Sequence, residues 1–540
     1  MVLTRFGNYF KNGVKKAFSF FDLVQIQHYF DCLIIGILIA IAFFIFEPSL
    51  YSQWGILDDH EIVYYSPSSH PMGFSDLIPT LLSKTEISPS STSPRFRPVY
   101  YFLRLVETRL WSSESPFPWY LTRIFIFIFF TSVLYIFFKR FNGRLLGGII
   151  TILVATFNFW NGIFSRLGPS ETYAIIGFSL FMIGVLVLSK NKESNISWFL
   201  IMVGTVLAIG SKENMIIILV PELFLFGLFF RKPINRNIFP IFMISISILM
   251  TFWIVLTLFI RMKTNGADFY GNSIEIFDRL FFFGHYFSEN YLVMLFLGIV
   301  LIIGIMGLTR KGFKHLRFRF LTLVFGTCGI LLLIFSQQYF YSGSIWGRYN
   351  IPYALFLPLL LSLVASFVQN LPYNRNKFLS HLTTIGISVV IAIFFINPHN
   401  LFLLRNISKE YVVITQEFAS SMDDIKYFAI TNQNSAIVFY GKKPENDYEK
   451  IISYIRFLRS DSVTNDIYIY RDPPADYKES FSKLEASLEN ELGLWSSGGK
   501  VDVGVRPIDD YYKNPNDCLL VSFEAVHPNI FSCESVIVVK

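Results

Sequence analysis

The sequence predicts a polytopic α-helical membrane protein with about eleven transmembrane helices and a C-terminal α/β domain outside the membrane. Three observations carry this. Hydrophobic residues fill 53% of the 540 positions and charged residues only 16%, whereas a soluble surface needs about a quarter or more of its positions charged. Mean hydropathy is +0.48, and the apolar residues fall in runs of about 20, the length that crosses ~30 Å of hydrocarbon. From about residue 401 onward the pattern changes to short alternating segments of mixed polarity. The net charge of +7 does not indicate nucleic acid, because the basic residues cluster in short loops between apolar runs.

In chain order, spans are predicted at residues 30–48, 119–138, 145–160, 172–189, 196–210, 215–230, 238–260, 291–309, 320–336, 351–369 and 382–397. Arg5, Lys11, Lys15 and Lys16 precede the first span and no small-x-small cleavage site follows it, so it reads as a retained helix. A long loop at 50–118 holds two amphipathic stretches, 73–84 and 96–111, joined by a serine/proline run at 88–94. In the second stretch Tyr100, Leu103, Val106, Leu110 and Trp111 share one face and Arg97, Arg104 and Glu107 the other, the pattern of a helix lying flat among headgroups. These segments divide the chain into a membrane domain, 1–400, and a terminal domain, 401–540. In the latter, helices are predicted at 410–428, 448–458 and 477–492, and strands at 436–440, 466–470, 501–505, 519–523 and 536–539.

Basic residues set the orientation. With a cytoplasmic N-terminus, alternate loops carry Lys139/Arg140/Arg144, Lys190/Lys192, Arg231/Lys232/Arg236, Arg310/Lys311/Lys314/Arg317/Arg319 and Arg375/Lys377. That is the positive-inside pattern. It places an odd number of spans in the plasma (inner) membrane and the terminal domain on the extracytoplasmic side. The loops then assigned to the outer face hold nearly every ionisable residue at membrane depth: Asp58-Asp59-His60-Glu61, Arg166-Leu-Gly-Pro-Ser-Glu171, Ser211-Lys212-Glu213-Asn214 and Gly347-Arg348-Tyr349. Such charges are costly unless paired or lining a polar cavity, so one outward-facing site accounts for them together.

Several chemistries find no support. GxGxxG, GxxxxGK[ST] and HExxH are absent, and the four cysteines form no zinc pattern. Cys518 and Cys533 share the terminal domain, as a disulfide or as two thiols. His60, His70 and His285 lie in outer loops, where histidines are usually solvated or hydrogen-bonded, so a divalent metal is compatible but not indicated, and no cofactor is assigned.

An acidic pair soon after the first span, Asp58-Asp59, followed by Arg95-Phe-Arg97-Pro98 and an amphipathic helix, with Pro116-Phe-Pro118-Trp119-Tyr120 opening the second span, resembles the GT-C superfamily. The order is similar to protein O-mannosyltransferase-like and ArnT-like members. Ser211-Lys212-Glu213 ahead of an apolar run to Pro221 resembles another segment of that superfamily, and the Arg166–Glu171 loop and Arg348-Tyr349 fall at places compatible with it. The resemblance covers roughly residues 1–400 and implies a polyprenyl-phosphate-sugar donor; the terminal domain has no counterpart in it.

The chemistry follows from the residue types. A sugar on a lipid phosphate is an activated donor, and transfer to a hydroxyl needs a base for the proton and cations for the developing phosphate charge. Asp58 or Asp59 is the expected base, its neighbour orienting acceptor or sugar. Lys212 and Arg348, with Arg97 and Arg166, are the expected phosphate ligands. Glu171, Glu213, His60 and Glu61 are supporting or sugar-binding candidates. The expected partners are the bilayer, the lipid-linked donor and a glycan, lipid or protein acceptor. Two alternatives remain: a polymerase or ligase of lipid-linked polysaccharide, and a non-enzymatic transporter or flippase of lipid-linked sugars. In transporters, internal repeats and midplane sites are the usual mark; here the charges gather at one face.

Overall fold

The computed structural model describes residues 23–56, 59–66, 72–88, 95–191, 194–229, 238–265, 384–389, 398–440, 444–470, 505–507, 518–522 and 529–532, with Arg348 and a few other positions between 351 and 393. The spans expected at 291–309 and 320–336 lie outside these residues, as do most of 351–369, half of 382–397 and the elements expected at 477–492 and 536–539.

Helices α1 (Leu23–Phe46), α2 (His60–Tyr65), α3 (Leu77–Lys84), α4 (Pro98–Trp111), α5 (Phe117–Asn142) and α6 (Arg144–Ala155) open the chain. They are followed by α7 (Asn161–Phe164), α8 (Glu171–Lys190), α9 (Asn195–Ser211), α10 (Leu219–Phe229) and α11 (Ile238–Asn265). Among the described residues four helices are long and apolar enough to cross a membrane, and a bent pair would make a fifth. The chain is an integral membrane protein. The bent pair is α6 with residues 158–164, at 52°. Thr156 Oγ1 donates to the Leu153 carbonyl at 2.9 Å and Trp160 Nε1 to the Val154 carbonyl at 2.6 Å, so side chains satisfy the groups released by the break.

Small residues bring α8 and α9 into backbone contact. A Cβ on Gly204 would lie 2.4 Å from the Phe181 nitrogen, and one on Gly177 2.5 Å from the Ala208 nitrogen. In lipid there is little hydrophobic force between helices, so such close packing carries the association.

Helix α4 corrects the sequence expectation. Its charged face is the buried one: Arg97, Arg104 and Glu107 are enclosed, while Phe102, Leu110 and Trp111 are exposed. Its polar face turns inward, where Arg104 and Glu107 find partners in the Leu167 carbonyl, Arg123 and Tyr173. Tyr100, assigned to the apolar face, is also buried, with its hydroxyl engaged.

A 33-residue helix, α12 (His399–Thr431), runs back along the bundle. Asn161 Nδ2 donates to the Leu404 carbonyl at 2.8 Å, and the Ser165 and Ser408 hydroxyls lie 2.9 Å apart. Beyond it come β1 (Ala436–Tyr440), α13 (Pro444–Ser460), β2 (Ile467–Tyr470), β3 (Val505–Pro507), β4 (Cys518–Ser522) and β5 (Asn529–Ser532). The sheet order is β3-β2-β1-β4-β5, with only the β4–β5 pairing antiparallel. Its apolar core joins Phe418, Met422 and Ile425 of α12, Ile437 and Phe439 of β1, and Tyr454, Ile455 and Leu458 of α13. Val63 of α2 is buried in the same cluster. Cys518 is disulfide-bonded and Cys32 is free; Cys533 lies outside the described residues.

Candidate active site

Ionisable residues from six separate segments meet at one end of the bundle. They line a cavity of about 110 Å³ formed by Glu61, Glu86, Arg95, Arg97, Tyr100, Tyr101, Gly168, Ser170, Glu171, Lys212 and Arg348. Its wall has almost no apolar surface, and four cationic side chains face three carboxylates. Each segment enters for a local reason. Lys212 follows the last turn of α9 in extended conformation, φ −146° and ψ 122°, so its side chain leaves the helix axis. Glu171 opens α8, where a carboxylate is favoured by the helix dipole. Pro98 at the first turn of α4 ends the incoming strand of chain at Arg97.

Lys212 Nζ lies 2.9 Å from Glu171 Oε1, and Arg348 Nε lies 3.9 Å from the same oxygen. One carboxylate thus holds two cations close together. On the opposite wall Arg97 grips Glu86, with Nη2 at 2.8 and 3.0 Å from its two oxygens, and Glu213 stands 3.6 Å from Arg97 Nε. The Arg97 guanidinium also covers the Tyr100 and Tyr101 rings at 5.1 and 5.8 Å. Burial pushes the Glu86 carboxyl up, but Arg97 and Arg95 beside it outweigh that and hold it below the usual carboxylate range. Burial works against the Arg97 charge, yet Glu86, Tyr101 and Glu213 hold its pKa well above the ordinary value.

A deeper buried network fixes the 166–170 loop. Arg123 and Glu107 pair bidentately at 2.9 Å for both contacts, and the Tyr173 hydroxyl donates to Glu107. Arg104 donates to the Leu167 carbonyl at 2.5 Å, Arg123 to the same oxygen at 3.4 Å, and the Tyr100 hydroxyl to the Gly168 carbonyl at 2.9 Å. Buried ion pairs of this geometry are costly to break from one side, about 3–5 kcal/mol. The network therefore holds Ser170 and Glu171 at the cavity wall. Ser170 Oγ is buried there without a hydrogen-bond partner among the described residues.

The structure distributes the expected residues unevenly. Glu61, Arg97, Glu171, Lys212 and Arg348 line the cavity. Glu213 stands behind Arg97. Asp59 does not line it: the side chain is buried, and its Oδ2 accepts the Gly55 N–H at 2.7 Å. His60 faces away to Ser453, with Nδ1 2.8 Å from its Oγ. Arg166 lies over the Tyr411 ring at 5.7 Å and is not among the lining residues. Asp58 lies outside the described residues. Glu86, Tyr101 and Ser170 were not anticipated. No sequence signal marked Glu86, because its partner Arg97 comes from across the serine/proline run. Among the described residues no three His, Cys, Asp or Glu side chains are grouped to hold a metal ion.

No protein-family profile matches the chain, and no curated protein matches it. Its fold is similar to the crystal structure of ArnT from Cupriavidus metallidurans bound to undecaprenyl phosphate. That likeness has a TM-score of 0.44 at 12% identity and covers 91% of this chain and 92% of the other.

Proposed function

We propose that this chain is a membrane glycosyltransferase of the GT-C type that moves a sugar from a polyprenyl-phosphate donor to an acceptor hydroxyl on the extracytoplasmic side. The observation that carries this reading is the cavity itself, almost entirely polar, at one end of the spans, with Lys212 and Arg348 converging on Glu171. A lipid phosphate reaches such a site while its tail stays among the apolar helices. Lys212 and Arg348 take the phosphate, with Arg95 and Arg97 on the facing wall. The acceptor oxygen attacks the anomeric carbon as the bond from that carbon to the phosphate oxygen breaks. The bonding pair leaves on the phosphate, where the cations stabilise it. The acceptor proton passes to a carboxylate, and the anomeric carbon inverts.

The acidic cluster at 58–61 supplies that carboxylate. Of its described members Glu61 lines the cavity, and Asp59 is engaged by the backbone beside it. We assign the base to Glu61, with Asp58 as the candidate to test against it and Asp59 as its support. Ser170 is placed to hydrogen-bond the donor. The test is a panel of radiolabelled polyprenyl-phosphate sugars given to the purified full-length protein in nanodiscs with membrane-lipid and glycan acceptors. Transfer from at least one donor, lost in Lys212→Met, is the expected result. Glycolipid export from intact vesicles without transfer from any donor would instead favour the flippase reading.

A further inference from the structure

Helix α2 is six residues long, from His60 to Tyr65. A helix that short has no stability of its own in water, because nucleation is unfavourable and few bonds follow it. Its position is therefore dictated by what packs on it. Successive residues at about 100° spacing meet four different surroundings. His60 meets Ser453 of α13 at 2.8 Å. Glu61 faces the cavity. Ile62 is buried against Trp119, Tyr120 and Leu167 of the membrane bundle. Val63 is buried with Phe418, Tyr454 and Ile455 of the α/β unit.

We infer that the C-terminal α/β unit is a working part of the site, and that Ser453, through His60, is a positioning residue that turns Glu61 into the cavity. The inference rests on the assignment of Glu61 above and adds a role for the unit that carries Ser453. Ser453 is fully buried, and its partner lies 393 positions away in sequence. The Ile56 backbone bonds His60 locally, whereas Ser453 ties the ring to the α/β unit. The approach to α2 is pinned from the same side, since Thr415 Oγ1 of α12 accepts the Gln53 N–H at 3.1 Å. Arg456, one turn beyond Ser453 on α13, acts electrostatically on His60, Tyr64 and Tyr65. The bundle holds one face of the short helix and the α/β unit holds another. Loss of the second hold lets the helix rotate or fray, which moves the carboxylate at position 61 before anything else in the cavity.

The experiment compares wild type, Ser453→Ala, Ser453→Cys and Ser453→Thr as full-length proteins in nanodiscs. Backbone hydrogen exchange over residues 60–65 is read first, since it needs no substrate. Exchange roughly fivefold faster in Ser453→Ala and Ser453→Cys, and near wild type in Ser453→Thr, is expected from loss of one buried hydrogen bond. With the donor found active in the panel, kcat should fall about tenfold or more while the donor KM stays within about twofold, because misplacing a catalytic group costs rate rather than phosphate binding. Threonine should restore it. Unchanged exchange overturns the inference, and so does faster exchange with unchanged kcat. If Ser453→Ala does not accumulate, the near-isosteric cysteine variant gives the same reading. If wild type transfers from no donor while exchange responds as expected, the proposed reaction fails and the mechanical coupling of the unit to α2 stands.

Discussion

Glu61 and Asp59 sit two positions apart and meet opposite surroundings, one in the polar cavity and the other tied to the Gly55 amide. Glu61→Gln should therefore lower kcat by about 10²–10⁴-fold with normal membrane insertion. Asp59→Asn should instead lower the thermal midpoint, at a cost of about 1–3 kcal/mol, with a smaller effect on rate. Parallel kinetics and unfolding curves, with Asp58→Asn beside them, decide this; an inactive Asp58→Asn with a fully active Glu61→Gln would move the base to Asp58. His60 carries a pH dependence. Burial first, then the Arg456 and Arg104 charges facing it from α13 and α4, hold its pKa well below the ordinary 6.5. Asp59 and Glu61 flank it on its own element. The unfolded chain then binds more protons in the window below 6.5, so the stability from neutral His60 is fully present above that value and lost as pH falls below it. The difference in thermal midpoint between wild type and His60→Gln should narrow as pH drops from about 7.5 to about 5. A difference that widens on acidification would refute the neutral, half-buried histidine. The acidic cluster was legible as a cluster; which member faces the cavity was not, because that depends on the rotation of a six-residue helix set by distant contacts.

At the scale of elements, hydropathy located the four long apolar helices well, since twenty apolar residues have few alternatives to a helix in lipid, whereas the spans expected at 196–210 and 215–230 are helices of 17 and 11 residues. The expected span at 145–160 is a helix that breaks after Ala155, and the expected start at 215 is a 3₁₀ turn, Glu213–Ile218, ahead of α10. Periodicity also found α4, but assigned its charged face to the surface when that face is buried. The spacing of apolar and charged residues establishes that a helix has two unlike faces and not which of them meets lipid. The α8–α9 contact offers a test at this scale. Gly204→Val would force side-chain atoms against the backbone of Phe181, where a Cβ alone would already lie at 2.4 Å. It should destabilise the protein by about 1–3 kcal/mol or more, read as a lowered thermal midpoint in nanodiscs. Gly36→Val, where nothing lies within 4 Å, should leave the midpoint nearly unchanged. Equal losses from the two would rule out backbone contact as the reason for the small residues.

At the scale of the whole molecule, the basic loops predict which side each end occupies. A reporter that is active only in the cytoplasm, fused after Lys540, should be silent, and one inserted in the Arg231–Arg236 loop should be active. An active reporter after Lys540 would reverse the orientation and the side on which the reaction is proposed to run.

The sequence by itself determined that the chain lives in a membrane, where its described spans run, and that its charges gather in a few loops. Those properties follow from the cost of placing charge and unpaired backbone in hydrocarbon, which each segment meets independently of the others. Tertiary structure alone decided that Glu86 pairs with Arg97, that Glu171 gathers Lys212 and Arg348, that Arg166 stands apart over Tyr411, and that Ser453 reaches His60. These pairings join residues 11 to 393 positions apart. Their partners are chosen by packing, because a buried charge takes whichever opposite group the folded bundle brings within a few ångströms.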